Sequence, residues 1–382
     1  MKRFYKFNIV LVVLFFLGAT SCTSDFEELN TDPNKAFQTD PAYLLSYSQN
    51  GVGAHRFELW RGNLLHAMLW SNQFITPWTT PFLTNDGWAT AYWDRSYERL
   101  VGSIEETLRQ IDVEGASDAD DKKAITRIWR VFIYHRLTDF WGNVPYSEAG
   151  KGNSDRLFQP QYDTQRDIYL DMLNELKEAV AQLNNTPTGN TFGTADLVYG
   201  GDHADWIKFG NSLRLRLAMR LSQVDAATAQ THVAEVATAS LITDNADNCR
   251  LLRLSGDQFD PQVNGSSAPI VAGFNGNYLS RSMVNILKDR NDPRLPVYAL
   301  PNAGGEYVGY PNGTPSGQLP SLSPDNFSLP NPNTVFALDA DVMFLSASEV
   351  NLLLAEAAYR GWANGDAATY YQAGIRSSLE YH

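Results

Sequence analysis

The sequence predicts an all-α fold with a long irregular stretch between its helices. Apolar residues recur at spacings of three and four through most of residues 41–221, which is the period of a buried helix face. The same pattern returns after Ser346. Between these regions, residues 301–335 hold 7 of the 18 prolines together with 5 glycines and 5 asparagines, a composition that excludes helix.

The predicted helices follow one another with short breaks. The clearest covers residues 163–183, where Asp163 is placed to cap the N-terminus and apolar residues from Ile168 to Leu183 share one face. Further along, Pro293 predicts that a helix ends near Asp289. The segments predicted as helical are 44–70 with a break near Gly51–Gly53, 88–111, 121–141, 163–183, 206–221 and 226–239.

Two more helices are predicted at the end of the sequence. Ser346 and Glu349 stand three apart before an apolar run, which is the pattern of a capping box, and Asp366 is placed to cap the second helix. This pair resembles one tetratricopeptide unit, because residues fall where the two helices of such a unit pack: Ala355, Gly361, Ala368 and Tyr371. No regular period of about 34 residues is visible elsewhere in the sequence. Since neither glycine nor proline ends the last helix at His382, we expect the natural chain to continue.

The N-terminus has the layout of an export signal. Lys2, Arg3 and Lys6 precede nine apolar residues (9–17), and small residues lead into Cys22. We interpret residues 1–21 as a lipoprotein signal peptide, Cys22 as the lipidated first residue of the mature chain, and residues 22–40 as an acidic, lipid-anchored tether. Ala19 departs from the lipoprotein pattern, in which a larger aliphatic residue is usual. The alternatives are an ordinary secretory signal cut nearby and a disulfide between Cys22 and Cys249.

The charge excludes one class of partner. The formal net charge is −13, and cleavage before Cys22 would remove three basic residues and no acidic ones. A strongly acidic surface repels polyanions, so we expect no nucleic-acid binding.

Three arginines lie close together in one predicted helix, at positions 214, 216 and 220. Leu213 and Leu217 mark one apolar face of this helix, and Leu215 points roughly the other way, which predicts a largely buried helix. Buried guanidinium groups need carboxylate or carbonyl partners. We therefore interpret the three arginines as members of structural ion pairs.

Five of the nine tryptophans lie between positions 60 and 93. The segment joins two predicted helices through a polar loop that contains proline, and most of its rings are expected to pack between helices. The rings on the loop itself are free to stack on the apolar faces of sugars, while amide side chains reach hydroxyl groups. The candidate ligand-binding residues are the rings Trp78, Phe82 and Trp88, with Asn72, Gln73 and Asn85 as polar neighbours.

Signals for catalysis and for metal binding are weak. The six histidines are scattered, and the sequence has no His-Glu-x-x-His or Gly-x-Ser-x-Gly motif. The acidic runs at 117–121 and 339–341 lack the alternating spacing of a calcium loop and are interpreted as helix caps and turns. We expect no catalytic residues, no metal site and no cofactor, although the many carboxylates leave a glycosidase pair open.

Six stretches together resemble the SusD/RagB-like nutrient-binding outer-membrane lipoproteins. They appear in the order of the family and span the sequence: Cys22 followed by "DFEELNTDPNK", "RVFIYHRLTDFWGNVPYSEA" (130–149), "WIKFGNSLRLRLAMRLS" (206–222), "LKDRNDPRLPVYA" (287–299), "YVGYPNG" (307–313) and "SASEVNLLLAEAAYRGWANGDAATYYQAGIRSS" (346–378).

The resemblance implies a single SusD-like α-helical domain at residues 41–382, with tetratricopeptide-like helix pairs and a loop-rich insertion at about 254–345. It implies a cell-surface lipoprotein of the outer membrane that acts as the lid of a TonB-dependent, SusC-like transporter. The ligand is expected to be an oligosaccharide, or a peptide in some branches of the family. The rival interpretations are a lipid-anchored helical glycoside hydrolase and a structural partner that only gates the barrel.

Overall fold

Helices form most of the chain in the computed structural model. It describes residues 39–54, 57–75, 86–152, 154–258, 260–271, 277–313 and 323–382. All of these except Thr39 belong to one compact unit, Asp40–His382. The structure does not describe Cys22, the signal peptide 1–21 or nearly all of the tether 22–40. The interpretation of these residues therefore stays a prediction.

The observed helices follow the predicted order with shifted ends. Two of them, α2 and α5, have π-helical hydrogen bonding. The helices are α1 (Pro41–Ala54), α2 (Phe57–Ala67), α3 (Met68–Trp70), α4 (Asp86–Arg95), α5 (Ser96–Val101), α6 (Gly102–Glu114), α7 (Ala119–Trp141), α8 (Gln165–Leu183), α9 (His203–Arg220), α10 (Ala226–Val236), α11 (Ser267–Val271), α12 (Arg281–Asp289), α13 (Leu295–Tyr298), α14 (Ala347–Tyr359) and α15 (Ala367–Tyr381). The prediction of an all-α fold with helix pairs is confirmed, and α12 ends at Asp289 as Pro293 indicated.

Short strands tie distant parts of the chain together. They are β1 (Phe74–Ile75), β2 (Val144–Pro145), β3 (Tyr162–Asp163), β4 (Cys249–Leu251), β5 (Tyr278–Leu279) and β6 (Val342–Leu345). They form three antiparallel pairs: β1 with β5, β2 with β3, and β4 with β6. The pair β4–β6 begins at Cys249, whose thiol is fully buried and has its pKa raised by that burial.

The main core surrounds α7 and α9. Trp129 of α7 and Trp206 of α9 are fully buried, with ring centroids 6.4 Å apart and planes at 87°. Leu213 and Leu215 of α9 are also fully buried although they point to different sides of the helix, which confirms the expectation of a largely buried helix. Each such side chain contributes about 1.5–3 kcal/mol through removal from water, so this pair of helices fixes the scaffold.

The three arginines of α9 form structural ion pairs, as predicted. Arg214 contacts Glu235 of α10, and Arg220 contacts Asp139 of α7. Arg216 binds Glu349 of α14 with Nε 2.6 Å from Oε1, and its Nη2 donates to the Phe344 carbonyl at 2.8 Å. The ion pairs therefore connect α9 to three other helices.

The predicted capping residues are partly confirmed. Ser346 Oγ accepts from the Glu349 amide at 3.2 Å, and Asp366 accepts from the Thr369 amide at 2.9 Å. The Glu349 carboxylate does not complete the capping box, because it pairs with Arg216 instead. The predicted cap of α8 was wrong by one residue: Thr164 caps the helix, and Asp163 lies in β3.

The surroundings of Arg214 predict a loss of stability in acid. Burial and the Arg214 charge lower the pKa of His232 from 6.5 to about 4, and hydrogen bonds from Arg214 and Lys177 lower the pKa of Glu235 from 4.5 to about 2. A group with a depressed folded-state pKa contributes stability that is present above its unfolded pKa and lost as pH falls. We therefore expect the free energy of unfolding to fall between pH 6.5 and 4 through His232, and between pH 4.5 and 2 through Glu235.

Urea unfolding of the wild type and of His232→Gln at about pH 7.5 and about pH 4.5 measures the histidine contribution. Because His232 itself is only half-buried, the variant is expected to lose less stability than the wild type by about 1 kcal/mol. His135, whose pKa burial holds well below 6.5, is present in both proteins and does not affect the comparison. Equal losses in the two proteins would contradict the assignment.

Candidate functional site

Three parts of the chain meet where β1 pairs with β5. Phe74 pairs with Leu279 and Ile75 with Tyr278, and Ser280 forms a parallel bridge with Tyr310. Ile75, Tyr278 and Tyr310, which are far apart in sequence, are thus held together by a small sheet.

A stack of rings supports this meeting point. The Tyr278 and Tyr310 rings lie 4.9 Å apart with planes at 28°, and Phe327 packs on Tyr310 at 4.6 Å. Ile75 completes the cluster. Burial raises the pKa of both tyrosines, so their hydroxyl groups stay neutral at physiological pH.

An asparagine network lies directly before β1. Asn72 has φ of 61°, a left-handed conformation that asparagine tolerates better than most residues. Its Nδ2 donates to Ser282 Oγ at 3.0 Å, and its Oδ1 accepts from Asn312 Nδ2. Ser280 Oγ donates to the Asn72 carbonyl at 2.5 Å. The network fixes Asn72 from several sides and links residues 240 positions apart.

The network retains hydrogen-bonding capacity for a ligand. A side-chain amide offers two donor hydrogens and an acceptor oxygen with two lone pairs. Each of Asn72 and Asn312 uses one side-chain donor in the bonds described above, and Asn312 is exposed. These groups are neutral, fixed in direction and close to stacked rings, which suits a ligand with many hydroxyl groups.

A cavity of about 600 Å³ adjoins the same region, and Gln73 lines it. Its wall combines apolar and aromatic side chains with the ion pair Arg250–Asp341, whose Nη1–Oδ2 distance is 2.6 Å. The volume is in the range of small-molecule sites. Among its lining residues are Phe74, Leu279, Met283, Tyr298, Phe336 and Tyr381.

The structure brings two of the six predicted ligand residues together. Asn72 and Gln73 lie at β1, where Asn72 forms the network and Gln73 faces the cavity. Trp88, which was expected both to begin a helix and to belong to the loop rings, lies in the first turn of α4 and is half-buried there. Trp78, Phe82 and Asn85 lie outside the described residues.

Sequence reasoning missed Ser282, Asn312 and Tyr310. Two of them belong to "YVGYPNG" (307–313), which contributed only to the family resemblance. The Asn-Gly pair at the end of this stretch is a turn signal. An exposed turn beside aromatic residues is the feature that could have identified Asn312 as a candidate ligand residue.

Two interior carboxylates of the described residues are engaged in ion pairs, and a third, Asp196, accepts hydrogen bonds from uncharged donors. Glu58 lies 3.1 Å from Arg136, and Glu105 lies 2.6 Å from Arg130. Burial raises the pKa of Glu58. In the part of the chain that the structure describes, no group of three or more His, Cys, Asp or Glu side chains is arranged to hold a metal ion. None of the described helices is long and apolar enough to cross a membrane.

Comparison with known proteins identifies the family. The model of the SusD-like family, described as starch-binding and associating with the outer membrane, matches residues 33–382. The chain therefore belongs to the SusD-like family. The comparison with curated proteins finds no match.

Solved structures share the fold over most of the chain. A chitin-binding protein is 30% identical with a TM-score of 0.78, over 89% of this chain and 75% of that one. A chitin-binding SusD homologue from Flavobacterium johnsoniae is 26% identical with a TM-score of 0.74, over 89% and 70%. A SusD homologue from Bacteroides uniformis ATCC 8492 is 25% identical with a TM-score of 0.76, over 90% and 71%.

Proposed function

We propose that this protein captures oligosaccharides at the outer membrane and delivers them to a TonB-dependent transporter. The observation that carries the proposal is the Asn72–Asn312 network, which offers fixed amide groups beside stacked rings in a chain of a starch-binding family. Fixed neutral amides and aromatic faces recognise sugars through directed hydrogen bonds and stacking. The chitin-binding relatives favour chitin fragments as the first ligands to test.

The segment that follows Ile75 is proposed to complete the site. Trp78, Phe82 and Asn85 belong to this segment, which starts four residues after Asn72. Rings in this segment would stack on sugar while the asparagine network binds hydroxyl groups. Trp88 is proposed as a further contact at the start of α4.

The role proposed is binding without catalysis. The interior carboxylates of Glu58 and Glu105 are paired with arginines, whereas glycoside hydrolysis requires an unpaired acid and a second carboxylate at a set distance. Prolonged incubation with chitin and starch oligosaccharides should release no product. Product formation that disappears when one carboxylate is changed would contradict a pure binding role.

Membrane attachment and the transporter are further parts of the proposal. Cys22 is proposed to carry the lipid that anchors the mature chain at the cell surface, where the protein serves as the lid of a SusC-like barrel. Cys22→Ser should shift the protein from the membrane fraction to the soluble fraction. Copurification of a TonB-dependent transporter with the wild type tests the partnership directly.

Ligand-site variants should weaken glycan binding measured by calorimetry with chitohexaose and maltoheptaose. Trp78→Ala and Trp88→Ala are each expected to cost about 1–3 kcal/mol, the range for loss of a stacked ring. Asn312→Ala should cost about 1 kcal/mol, because one hydrogen-bonding group is lost.

Asn185→Ala is the matched control for Asn312→Ala. Asn185 is an exposed amide in the connection after α8, outside the proposed site, so this variant should bind like the wild type. Unchanged glycan affinity in all three site variants would show that the ligand does not bind in this region.

A further inference from the structure

Five asparagines of the sequence are followed directly by glycine: Asn50, Asn264, Asn275, Asn312 and Asn364. Glycine carries no side chain to shield its backbone nitrogen, so this nitrogen is able to attack the side-chain carbonyl carbon of the preceding asparagine. Asn275 lies outside the described residues. In the other four pairs, the reaction depends on whether other contacts already hold the glycine amide and the asparagine side chain.

The pair Asn50–Gly51 is held within α1. Helical hydrogen bonding fixes the backbone on both sides of Gly51, since the helix continues to Ala54. The Asn50 side chain is also engaged, because its Oδ1 accepts from Arg253 Nη1 at 2.9 Å. The two groups that would have to meet are therefore fixed by other partners.

The pair Asn264–Gly265 is held by tertiary contacts. Asn264 is 5% exposed, and its Nδ2 donates to the Ala340 carbonyl at 2.9 Å. Its Oδ1 accepts from the backbone amides of the two residues that follow Gly265, at 2.9 and 3.3 Å. The Gly265 amide donates to the Gly53 carbonyl at 3.4 Å, so the nitrogen that would attack already has a partner.

The pair Asn312–Gly313 forms an exposed turn without such restraints. Gly313 has φ of 67°, and its amide donates no hydrogen bond to any residue that the structure describes. The Asn312 side chain has one contact, in which its Nδ2 donates to Asn72 Oδ1. This contact involves the nitrogen that would leave and not the carbonyl carbon that would be attacked.

The pair Asn364–Gly365 is a second open turn, between α14 and α15, and both of its residues are exposed. The Tyr370 hydroxyl donates to the Asn364 backbone carbonyl at 3.3 Å, and no described residue bonds the Asn364 side chain. None of its contacts in the described structure involves the asparagine network. It therefore provides an internal comparison for Asn312.

We propose that Asn312 is a site of spontaneous deamidation that changes the asparagine network as the protein ages. The Gly313 nitrogen gives up its proton to hydroxide and bonds to the Asn312 side-chain carbonyl carbon, while the side-chain nitrogen takes up a proton from water and leaves as ammonia. Water then opens the five-membered imide, and residue 312 becomes aspartate or isoaspartate. The balance is the replacement of NH₂ by OH, without an oxidant, a reductant or an enzyme.

The change removes both side-chain donor hydrogens from residue 312. A carboxylate only accepts, so it would face Asn72 Oδ1 as one acceptor facing another. To restore the contact, the Asn72 amide would have to turn over and take its donor away from Ser282 Oγ. The effect on ligand binding rests on the proposed function, in which the network binds hydroxyl groups. Asn312→Asp should weaken chitohexaose binding about fivefold, because one hydrogen-bonding group is lost.

The test follows the masses of tryptic peptides from purified protein that is kept for days at neutral and at mildly alkaline pH. Asn312 and Asn364 fall on separate peptides, residues 295–360 and 361–376. Both peptides should gain the mass difference between OH and NH₂, faster at the higher pH because more of the glycine nitrogen is deprotonated. Fragmentation assigns the change to one residue, and Asn50 and Asn264 should stay unchanged.

Asn312→Gln is the matched variant, because its longer side chain would have to close a larger and slower-forming ring. It should lose the mass change at position 312 and keep the change at Asn364. Aged wild type should lose chitohexaose affinity in step with conversion at Asn312, whereas aged Asn312→Gln should keep the affinity that it had when fresh. Circular dichroism melts that match before and after ageing verify that the protein stays folded.

An unchanged Asn312 in protein whose Asn364 has converted would overturn the inference. Equal rates at Asn264 and Asn312 would also overturn it, because the reaction would then follow the dipeptide and not the structure. Full glycan affinity after conversion at Asn312 would refute the effect on the network. If fresh wild type binds no glycan, the proposed function fails, while the peptide masses still decide whether Asn312 is modified.

Discussion

Asp196→Asn is expected to lower the free energy of unfolding by about 3–5 kcal/mol, because buried hydrogen-bond donors would lose their acceptor. Asp196 is 3% exposed and accepts hydrogen bonds from donors on three parts of the chain. Gln49 Nε2 of α1, Trp206 Nε1 of α9 and the Gly201 amide each donate at 2.7 Å. The Val198 and Tyr199 amides donate at 3.1 and 3.3 Å.

The size of this effect follows from the hydrogen-bonding role of the partners of Asp196. All five contacts on Asp196 are donors, so both oxygens of the side chain must accept. An asparagine turns one acceptor into an NH₂ group, which would face N–H groups in either orientation. At least two buried donors would then lack an acceptor, at about 1–3 kcal/mol each.

Urea unfolding followed by tryptophan fluorescence measures this loss, with Asp202→Asn as the matched control. Asp202 is an exposed N-cap of α9 that accepts from the Asp205 amide at 3.1 Å, and asparagine caps a helix about as well as aspartate. The control should stay within about 0.5 kcal/mol of the wild type. A small effect in Asp196→Asn would mean that water reaches the carboxylate in solution.

Gly201→Ala is expected to cost about 3 kcal/mol or more, because two separate penalties add. Gly201 has φ of 84°, where an L-residue is strained by about 1–2 kcal/mol. A Cβ at this position would also overlap the Thr191 carbonyl oxygen, which is backbone and cannot rotate away. The shift would disturb the bond from the Gly201 amide to Asp196 and the bond from the Thr191 amide to the Gly201 carbonyl at 3.0 Å.

Gly115→Ala separates the two penalties. Gly115 has φ of 60° at the end of α6, and apart from its own helix and chain neighbours a methyl group there would meet none of the described residues within 4 Å. The control therefore carries only the conformational cost of about 1–2 kcal/mol. Thermal or urea unfolding of both variants should show the larger loss for Gly201→Ala, and equal losses would show that the turn near Thr191 adapts.

The behaviour of α9 shows how far sequence reasoning reaches. Apolar residues on two sides predicted burial, and burial predicted partners for Arg214, Arg216 and Arg220. The structure confirms both steps. The identity of the partners was not predictable, because Glu235, Glu349 and Asp139 lie on other helices. The packing of those helices against α9 decides which carboxylate comes within reach of each arginine.

Glu349 illustrates competition between a local and a distant partner. Its spacing from Ser346 predicted a reciprocal capping box, a pattern that depends only on the geometry of one helix turn. Half of the box forms, but the carboxylate pairs with the Arg216 guanidinium. A charged, bidentate partner offers a stronger hydrogen bond than a backbone amide, so tertiary contact overrides the local preference.

The candidate site likewise has a part that the sequence indicated and a part that only the structure shows. Composition marked residues 60–93 as rich in rings and amides, and Asn72 and Gln73 do lie at the meeting point of β1 and β5. Ser282 and Asn312 reach Asn72 from more than 200 positions away, and no pattern near Asn72 indicates them.

The sequence by itself determined the helical class, the positions of most helices, the need for ion pairs along α9 and the family resemblance, because these depend on residue type and on spacings within a few turns. The tertiary structure decided the hydrogen bond between Gln49 and Asp196, the partner of Glu349 and the asparagine network. Each of these is a contact between groups far apart in the chain. Such a contact forms only when the packing of α1, α7, α9 and the short sheets brings the groups within hydrogen-bond distance.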